Sequence, residues 1–220
     1  MANLPVKSSH DRFQLQQTSI AGLSELGISE SFSTSAPISL YGASKLASEQ
    51  LILEYGYNFD FPVWINRCGV LAGAGQFGKA DQGIFSYWIH SFKEKNSLRY
   101  FGFDGTGHQV RDALHPQDLV PLLSRQITEP NRNAPKIINV GGGIENSMSL
   151  KELSAWTEKI FGPYKVISSS ESRRMDAPWI VMDSTVAQSA WNWRPTIGIQ
   201  QILEEIASWR FLRESAGFRL

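Results

Sequence analysis

Tyr41-Gly42-Ala43-Ser44-Lys45-Leu46-Ala47-Ser48-Glu49 begins the first clearly periodic stretch of the chain. From Gly42 to Tyr57, the apolar residues Leu46, Ala47, Leu51 and Tyr55 recur at helical spacing, which predicts a helix with one buried face. Phe61 to Leu71 follows, and there Val63, Trp64 and Ile65 stand side by side. A run apolar on both faces suits the middle of a parallel sheet better than a half-exposed hairpin. A helix leading directly into such a strand is the repeating step of an α/β fold.

Downstream, the alternation continues. Helices are expected over Gly83 to Lys95, Pro116 to Ile127, Ser184 to Trp191 and Ile199 to Arg213, and strands over Arg99 to Phe103, Lys136 to Val140 and Trp179 to Met182. Ser149 with Glu152 three residues on is a capping-box signature ahead of Leu150, Leu153, Trp156 and Ile160. Upstream, residues 1–40 are rich in Ser, Gln, Gly and Pro, and their one weak helical stretch is Phe13 to Leu26. A loop-rich segment is expected there.

Composition excludes several classes of function. Hydrophobic residues at 42% and charged residues at 19% describe a folded globular chain rather than a disordered one. Twenty-one basic residues balance twenty-one acidic ones, so no nucleic-acid or anionic-membrane partner is expected and any anion site must be local. No apolar run approaches the roughly 18 residues that span a bilayer. A single cysteine, Cys68, rules out an internal disulfide, which fits a cytoplasmic location. Cys68 itself reads as a small buried apolar residue.

Tyr41 and Lys45, four apart on a helix, share a face. A free phenol titrates near 10 and is a poor base at neutral pH. A cation one turn away stabilises the phenolate, so the pair can exchange a proton with a hydroxyl group. The pair alone is also what a surface helix with a solvated lysine contains. The longer string Pro37-Ile38-Ser39-Leu40-Tyr41-Gly42-Ala43-Ser44-Lys45-Leu46-Ala47-Ser48-Glu49 closely resembles the active-site segment of extended short-chain dehydrogenase/reductases, prominent among them NAD-dependent nucleotide-sugar epimerases and dehydratases. The resemblance implies Tyr41 as the catalytic acid/base and Lys45 as the residue that holds the NAD ribose and tunes Tyr41.

Gly105-Thr106-Gly107-His108-Gln109-Val110-Arg111-Asp112, followed by His115 and Asp118, is similar to the segment that crosses the nucleotide-sugar pocket in this family. It implies that Gln109 and Arg111 bind substrate, with Arg111 on the diphosphate, where a guanidinium fork fits phosphate oxygens. Outside such a string Arg111 would read as a surface ion pair. The two glycines are not a dinucleotide fingerprint, because no strand-turn-helix unit surrounds them. His115 is expected to have a structural role at a helix start.

Arg67-Cys68-Gly69-Val70-Leu71-Ala72-Gly73-Ala74-Gly75-Gln76 and Asp81-Gln82-Gly83 form the third match, at a strand end where ligands collect in open α/β sheets. By resemblance Arg67 and Gly69 join Tyr41 and Lys45 on the cofactor, while Gln76 and Gln82 face substrate. These residues, with Asn139 to Gly143 and Asn146 to Leu150, look like CDP-paratose/CDP-tyvelose 2-epimerases. Arg173-Arg174-Met175-Asp176 resembles the family's second phosphate-binding element, with the role falling to Arg173 and Arg174 as the alternative. Trp193-Arg194-Pro195 matches a Gly-Trp-x-Pro type turn, with Asn192 in place of glycine. No metal ligand set is assigned.

The fold expected is α/β, the C-terminal part of a Rossmann-like doubly wound parallel sheet plus a smaller α/β substrate-binding lobe. Its divisions are 1–40 loop-rich, 41–75 a remnant of the NAD-binding domain, and 76–220 mainly the nucleotide-sugar lobe, with about 108–140 returning to the sheet. The resemblance starts midway through the family pattern, and no Thr-Gly-x-x-Gly-x-x-Gly turn occurs to cradle a pyrophosphate. It therefore implies NAD-dependent epimerisation of a CDP- or UDP-sugar, by transient oxidation at C2, with weak or no activity for this chain by itself. A separate polypeptide supplying the N-terminal half, or pairing between copies, is expected to cover the sheet edge and apolar face left open. The alternatives are a non-catalytic nucleotide-sugar-binding or interaction module and an inactive remnant.

Overall fold

The computed structural model describes residues 4–79, 82–171 and 176–209. In chain order the strands are β1 (Val6–Ser9), β2 (Arg12–Leu15), β3 (Leu23–Ser24), β4 (Gly27–Ile28), β5 (Ile65–Cys68), β6 (Val70–Leu71), β7 (Arg99–Tyr100), β8 (Val110–Leu114), β9 (Ile137–Val140), β10 (Ser147–Ser149), β11 (Ile167–Ser168) and β12 (Trp179–Ile180). The helices are α1 (Leu40–Asn58), α2 (Ile84–Lys93), α3 (Pro116–Thr128), α4 (Leu150–Phe161), α5 (Thr185–Trp191) and α6 (Ile199–Ser208). None of the described helices is long and apolar enough to cross a membrane.

The single strand expected over Phe61 to Leu71 is divided at Gly69. Its first part, β5, pairs in parallel with β9, placing Arg67 beside Asn139 and Cys68 beside Val140. Its second part, β6, pairs in parallel with β8. A Cβ at position 69 would stand 2.8 Å from a carboxylate oxygen of Asp112, so glycine is what lets the chain change partners there. The switch joins the two halves of the fold. Beyond it, β8 is flanked by β10, antiparallel, and β12, parallel.

Side chains alternate along β5. Arg67 faces α1, where it pairs with Glu49, and Asn66 faces α3, where it exchanges two amide hydrogen bonds with Gln126 at 2.9 and 3.0 Å. Leu122 of α3, Ala187 and Trp191 of α5 and Ile138 and Val140 of β9 form one buried cluster on that second side. Helices therefore cover both faces of the parallel pair, as a doubly wound α/β sheet requires. The larger core lies in the other half, where Phe85, Trp88, Ile89 and Phe92 of α2 pack on Leu153 of α4 and Ile202, Leu203 and Ile206 of α6. The capping box forms as expected. Ser149 Oγ accepts from the Glu152 amide at 3.0 Å, and the Glu152 carboxylate accepts from the Ser149 amide at 2.8 Å.

Two expectations need correction. Phe13 to Leu26 is not helical. Residues 6–15 and 23–28 form two antiparallel hairpins, and Leu4, Leu23 and Ile28 join Val110, Trp179 and Val181 in a third buried cluster. Order thus begins well before Tyr41, because these scattered apolar residues find a surface to pack on that lies about a hundred residues away in sequence. The helix α1 forms, but the residues facing the sheet are Gly42, Leu46, Glu49, Leu53 and Gly56, while Leu51 and Tyr55 are 61% and 57% exposed. Apolar residues occupy both sides of this helix, so periodicity could not say which side would be buried. The open sheet edge expected from the sequence is that of β5, which has β9 along one edge and, among the described strands, no partner along the other.

Candidate functional site

Ser39 caps α1, its hydroxyl accepting from the Gly42 amide at 3.0 Å, and so sets where Tyr41 and Lys45 stand in the first turns. The Lys45 ammonium sits 5.4 Å from the centre of the Tyr41 ring, over its face. Tyr41 is 65% exposed. One turn further on, Glu49 receives both arms of Arg67, at 2.9 and 2.6 Å. That pairing holds the guanidinium above its ordinary value and clamps α1 to β5. Lys45, Gly42 and Arg67 line a cleft of about 280 Å³ beneath the start of α1, with Phe32, Asn139 and Met182 on its other walls. Gly69 lies against Asp112 instead.

The second group gathers elsewhere. Gln82, Gln109 and Arg111 line a cleft of about 250 Å³, closed by Met148, Ser149 and Asp176. A neighbouring cleft of about 260 Å³ shares Gln109, Leu150 and Asp176 and adds Tyr87, Arg99 and Phe101. Arg111 reaches it from the middle of β8, donating to Asp176 at 3.0 Å and to the Val110 carbonyl at 2.8 Å. Burial lowers the guanidinium from its ordinary value and Asp176 opposes the shift; Arg111 stays charged. Gln109 is buried, its amide nitrogen donating to the Phe101 carbonyl at 3.3 Å while its oxygen lacks a protein partner.

Gln76 lines neither cleft. Its amide donates to the Leu71 carbonyl at 2.7 Å and accepts from Ser86 Oγ at 2.7 Å, tying the end of β6 to the start of α2. Arg173, and Arg174 beside it, lie outside the described residues. Sequence reasoning passed over Asp176 and Met148 as site residues. Asp176 had a signal, its place in the Arg-x-x-Asp element; Met148 had none, since only the pairing of β10 with β8 places it opposite Arg111.

The remaining motif residues hold the walls in place. His115 Nδ1 accepts from the Gln117 amide at 3.2 Å, capping α3, and Nε2 meets Glu205 of α6 at 3.0 Å. The Asp118 carboxylate accepts from the Thr196 amide and hydroxyl and from the Ile197 amide, at 3.0, 2.6 and 3.0 Å, and its carbonyl accepts from the Trp193 indole. This explains how Trp193-Arg194-Pro195 forms its turn without the glycine: Asn192 adopts the left-handed conformation in its place, with φ of 47°.

This combination of a Tyr-x-x-x-Lys helix on a parallel pair and an Arg111 cleft beside it agrees with a match between residues 14–141 and the model of the NAD dependent epimerase/dehydratase family. The chain belongs to that family. It is similar to the CDP-paratose 2-epimerase of Salmonella typhi, at 29% identity over 171 residues, covering 77% of this chain and 51% of the relative. It is also similar to the UDP-glucose 4-epimerase of Mycoplasma pneumoniae, at 30% identity over 179 residues, covering 75% and 52%. Among solved structures it resembles UDP-glucuronic acid 4-epimerase from Bacillus cereus in complex with UDP-glucuronic acid and NAD, with a TM-score of 0.72, 25% identity, and coverage of 87% of this chain and 58% of that one. The chain spans about half the length of the curated relatives it matches.

Proposed function

We propose that this chain carries the proton-transfer pair and the nucleotide-sugar cleft of an NAD-dependent nucleotide-sugar epimerase, acting at C2 of a CDP-sugar. The observation that carries the reading is the convergence of Gln109 and Arg111, from one string, with Gln82, from another, on one cleft already balanced by a carboxylate. A diphosphate entering there displaces Asp176 from Arg111 and takes its two-point geometry. The residues present fit one end of NAD. Gly42, Lys45 and Arg67 share a cleft, and the Lys45 ammonium is held near the Tyr41 ring and free to meet a ribose hydroxyl. A second polypeptide or segment with the glycine-rich turn supplies the pyrophosphate cradle. Held there by Gly42, Lys45 and Arg67, NAD would supply reversible hydride acceptance at the sugar carbon, with no net oxidation. Tyr41 takes the hydroxyl proton as the sugar is oxidised to the ketone and gives it back after the ketone has turned over, while Arg111 keeps hold of the diphosphate.

A second reading, a nucleotide-sugar-binding module without catalysis, is favoured by the exposure of Tyr41 and by its position outside the walls of both clefts. Calorimetric titration with CDP-glucose, UDP-glucose and NAD separates the two. Binding of the CDP-sugar and NAD, with epimerisation that disappears in Tyr41→Phe, is the expected outcome for the enzyme. CDP-sugar binding without NAD binding removes catalysis by this chain on its own and leaves the module or an enzyme completed by the second polypeptide. Absence of any sugar-nucleotide binding removes both.

A further inference from the structure

The strand β10 is three residues long and stands at the edge of its sheet, yet it forms one wall of the Arg111 cleft. Its register sets Met148 opposite Arg111 on β8. Because strand side chains alternate, Ser147 and Ser149 point away from the face that Met148 presents to the cleft. Both serines are buried, at 8% and 1% exposure, and each is held by the turn of the β1–β2 hairpin. Arg12 donates to Ser147 Oγ at 2.6 Å, and Ser149 Oγ donates to the Asp11 carbonyl at 2.5 Å. The other arm of Arg12 pairs with Glu152 at 3.5 Å, and that carboxylate accepts from the Ser149 amide. The grip extends to the far side of the cleft. Phe13 donates its amide to the His108 carbonyl at 2.8 Å, next to Gln109, and the Ser8 hydroxyl meets His108 Nδ1 at 2.6 Å.

We propose that the β1–β2 hairpin is a clamp that sets the width of the nucleotide-sugar cleft, with Arg12 as its positioning residue. Arg12 lines neither cleft and touches no ligand position. It links one end of β10 to the capping box of α4, and so fixes Met148, Ser149 and Leu150 as one rigid wall facing Gln109 and Arg111. A strand this short has too few ladder bonds to hold that place alone, since among the described strands it pairs with β8 and no other. A guanidinium suits the task because it binds a hydroxyl and a carboxylate at once in a fixed fork; an ammonium is a point charge that cannot span both.

The inference rests on the proposed nucleotide-sugar reading, so its test carries one arm that needs no ligand. In the whole chain, Arg12→Ala and Ser147→Ala each remove the same bond from opposite ends, which keeps the test available if one variant folds poorly. Hydrogen exchange without ligand should quicken at the amides of residues 147–152 in both, while the amides of α2 and α6 keep their protection. Binding of CDP-glucose should weaken roughly three- to tenfold, the scale of one hydrogen bond. Arg12→Lys should recover part of the affinity, and Gln14→Ala, on the exposed side of β2, should change neither measurement. Unchanged exchange at 147–152 in both variants overturns the clamp, and so does faster exchange with unaltered CDP-glucose affinity. If the unmodified chain binds no sugar nucleotide, the functional reading falls and the exchange data alone decide the clamp.

Discussion

Asp112 is a carboxylate 1% exposed at the point where β5, β6, β8 and the glycines after β9 meet. One oxygen accepts from the Gly143 amide at 3.2 Å, and the other has no partner. Burial pushes the group up to about 6, against the pull of backbone amides from Gly143, Met182 and Gly142. The folded value lies above the unfolded one, so the stabilisation is complete at low pH and is lost as pH rises through about 6. Relative to Asp112→Asn, the unfolding free energy of the parent should therefore fall by ~2 kcal/mol between about pH 4.5 and about pH 7.5. Urea melts of both proteins at the two pH values check this. Gly107 has φ of 73°, and a Cβ there would lie 2.6 Å from the Tyr100 ring, whose hydroxyl donates to Ser154. Gly107→Ala should cost about 2–4 kcal/mol by the same melts, combining left-handed strain and overpacking. The Gly-x-Gly pair was legible as a loop signal, but the close neighbours are Ser168 and Ser169 at Gly105 and the Tyr100 ring at Gly107, which no local pattern contains.

At the scale of the element, α1 has one apolar face against the sheet and another facing outward. Leu40, Tyr41, Leu51, Ile52, Tyr55 and Phe59 are all exposed, between 48% and 91%. Truncation should expose the asymmetry. Leu51→Ala should change stability by less than ~0.5 kcal/mol, whereas Leu153→Ala, fully buried in α4, should cost about 2–5 kcal/mol. The exposed run of Leu51, Ile52, Tyr55 and Phe59 favours association, so the chain should bind a hydrophobic dye, and Leu51→Glu with Tyr55→Lys should reduce the signal without lowering the thermal midpoint. The helix itself was legible from its spacing, whereas the Ser39 cap that starts it was not read from the sequence. The buried side of the helix was not legible, because a helix apolar on both sides has no phase for a pattern to report.

Across the whole molecule, the two groups of motif residues occupy separate clefts on either side of the Gly69 switch, with β5 leading into one and β6 into the other. On the proposed function, a CDP-sugar held by Arg111 would bridge β8, β10 and the segment at Asp176, and should stabilise the fold as one unit. At a hundred times its dissociation constant the gain should be ~2.7 kcal/mol, read as a rise in the thermal midpoint that Arg111→Ala abolishes. The sequence by itself determined the helix–strand alternation, the Ser149–Glu152 capping box and the motif strings, because each depends on residues within a few positions of one another. Only the tertiary structure decided that Gln76 braces α2, that Arg67 is held by Glu49, that Asp118 builds the Trp193 turn, and that the first hairpin grips the cleft. Each of these is a contact between segments far apart in sequence, and the partner that satisfies a polar side chain is set by how the elements pack. The same is true of Tyr41 and Lys45. Their shared helix face could be read from a spacing of four, whereas their exposure depends on what the rest of the fold places over them.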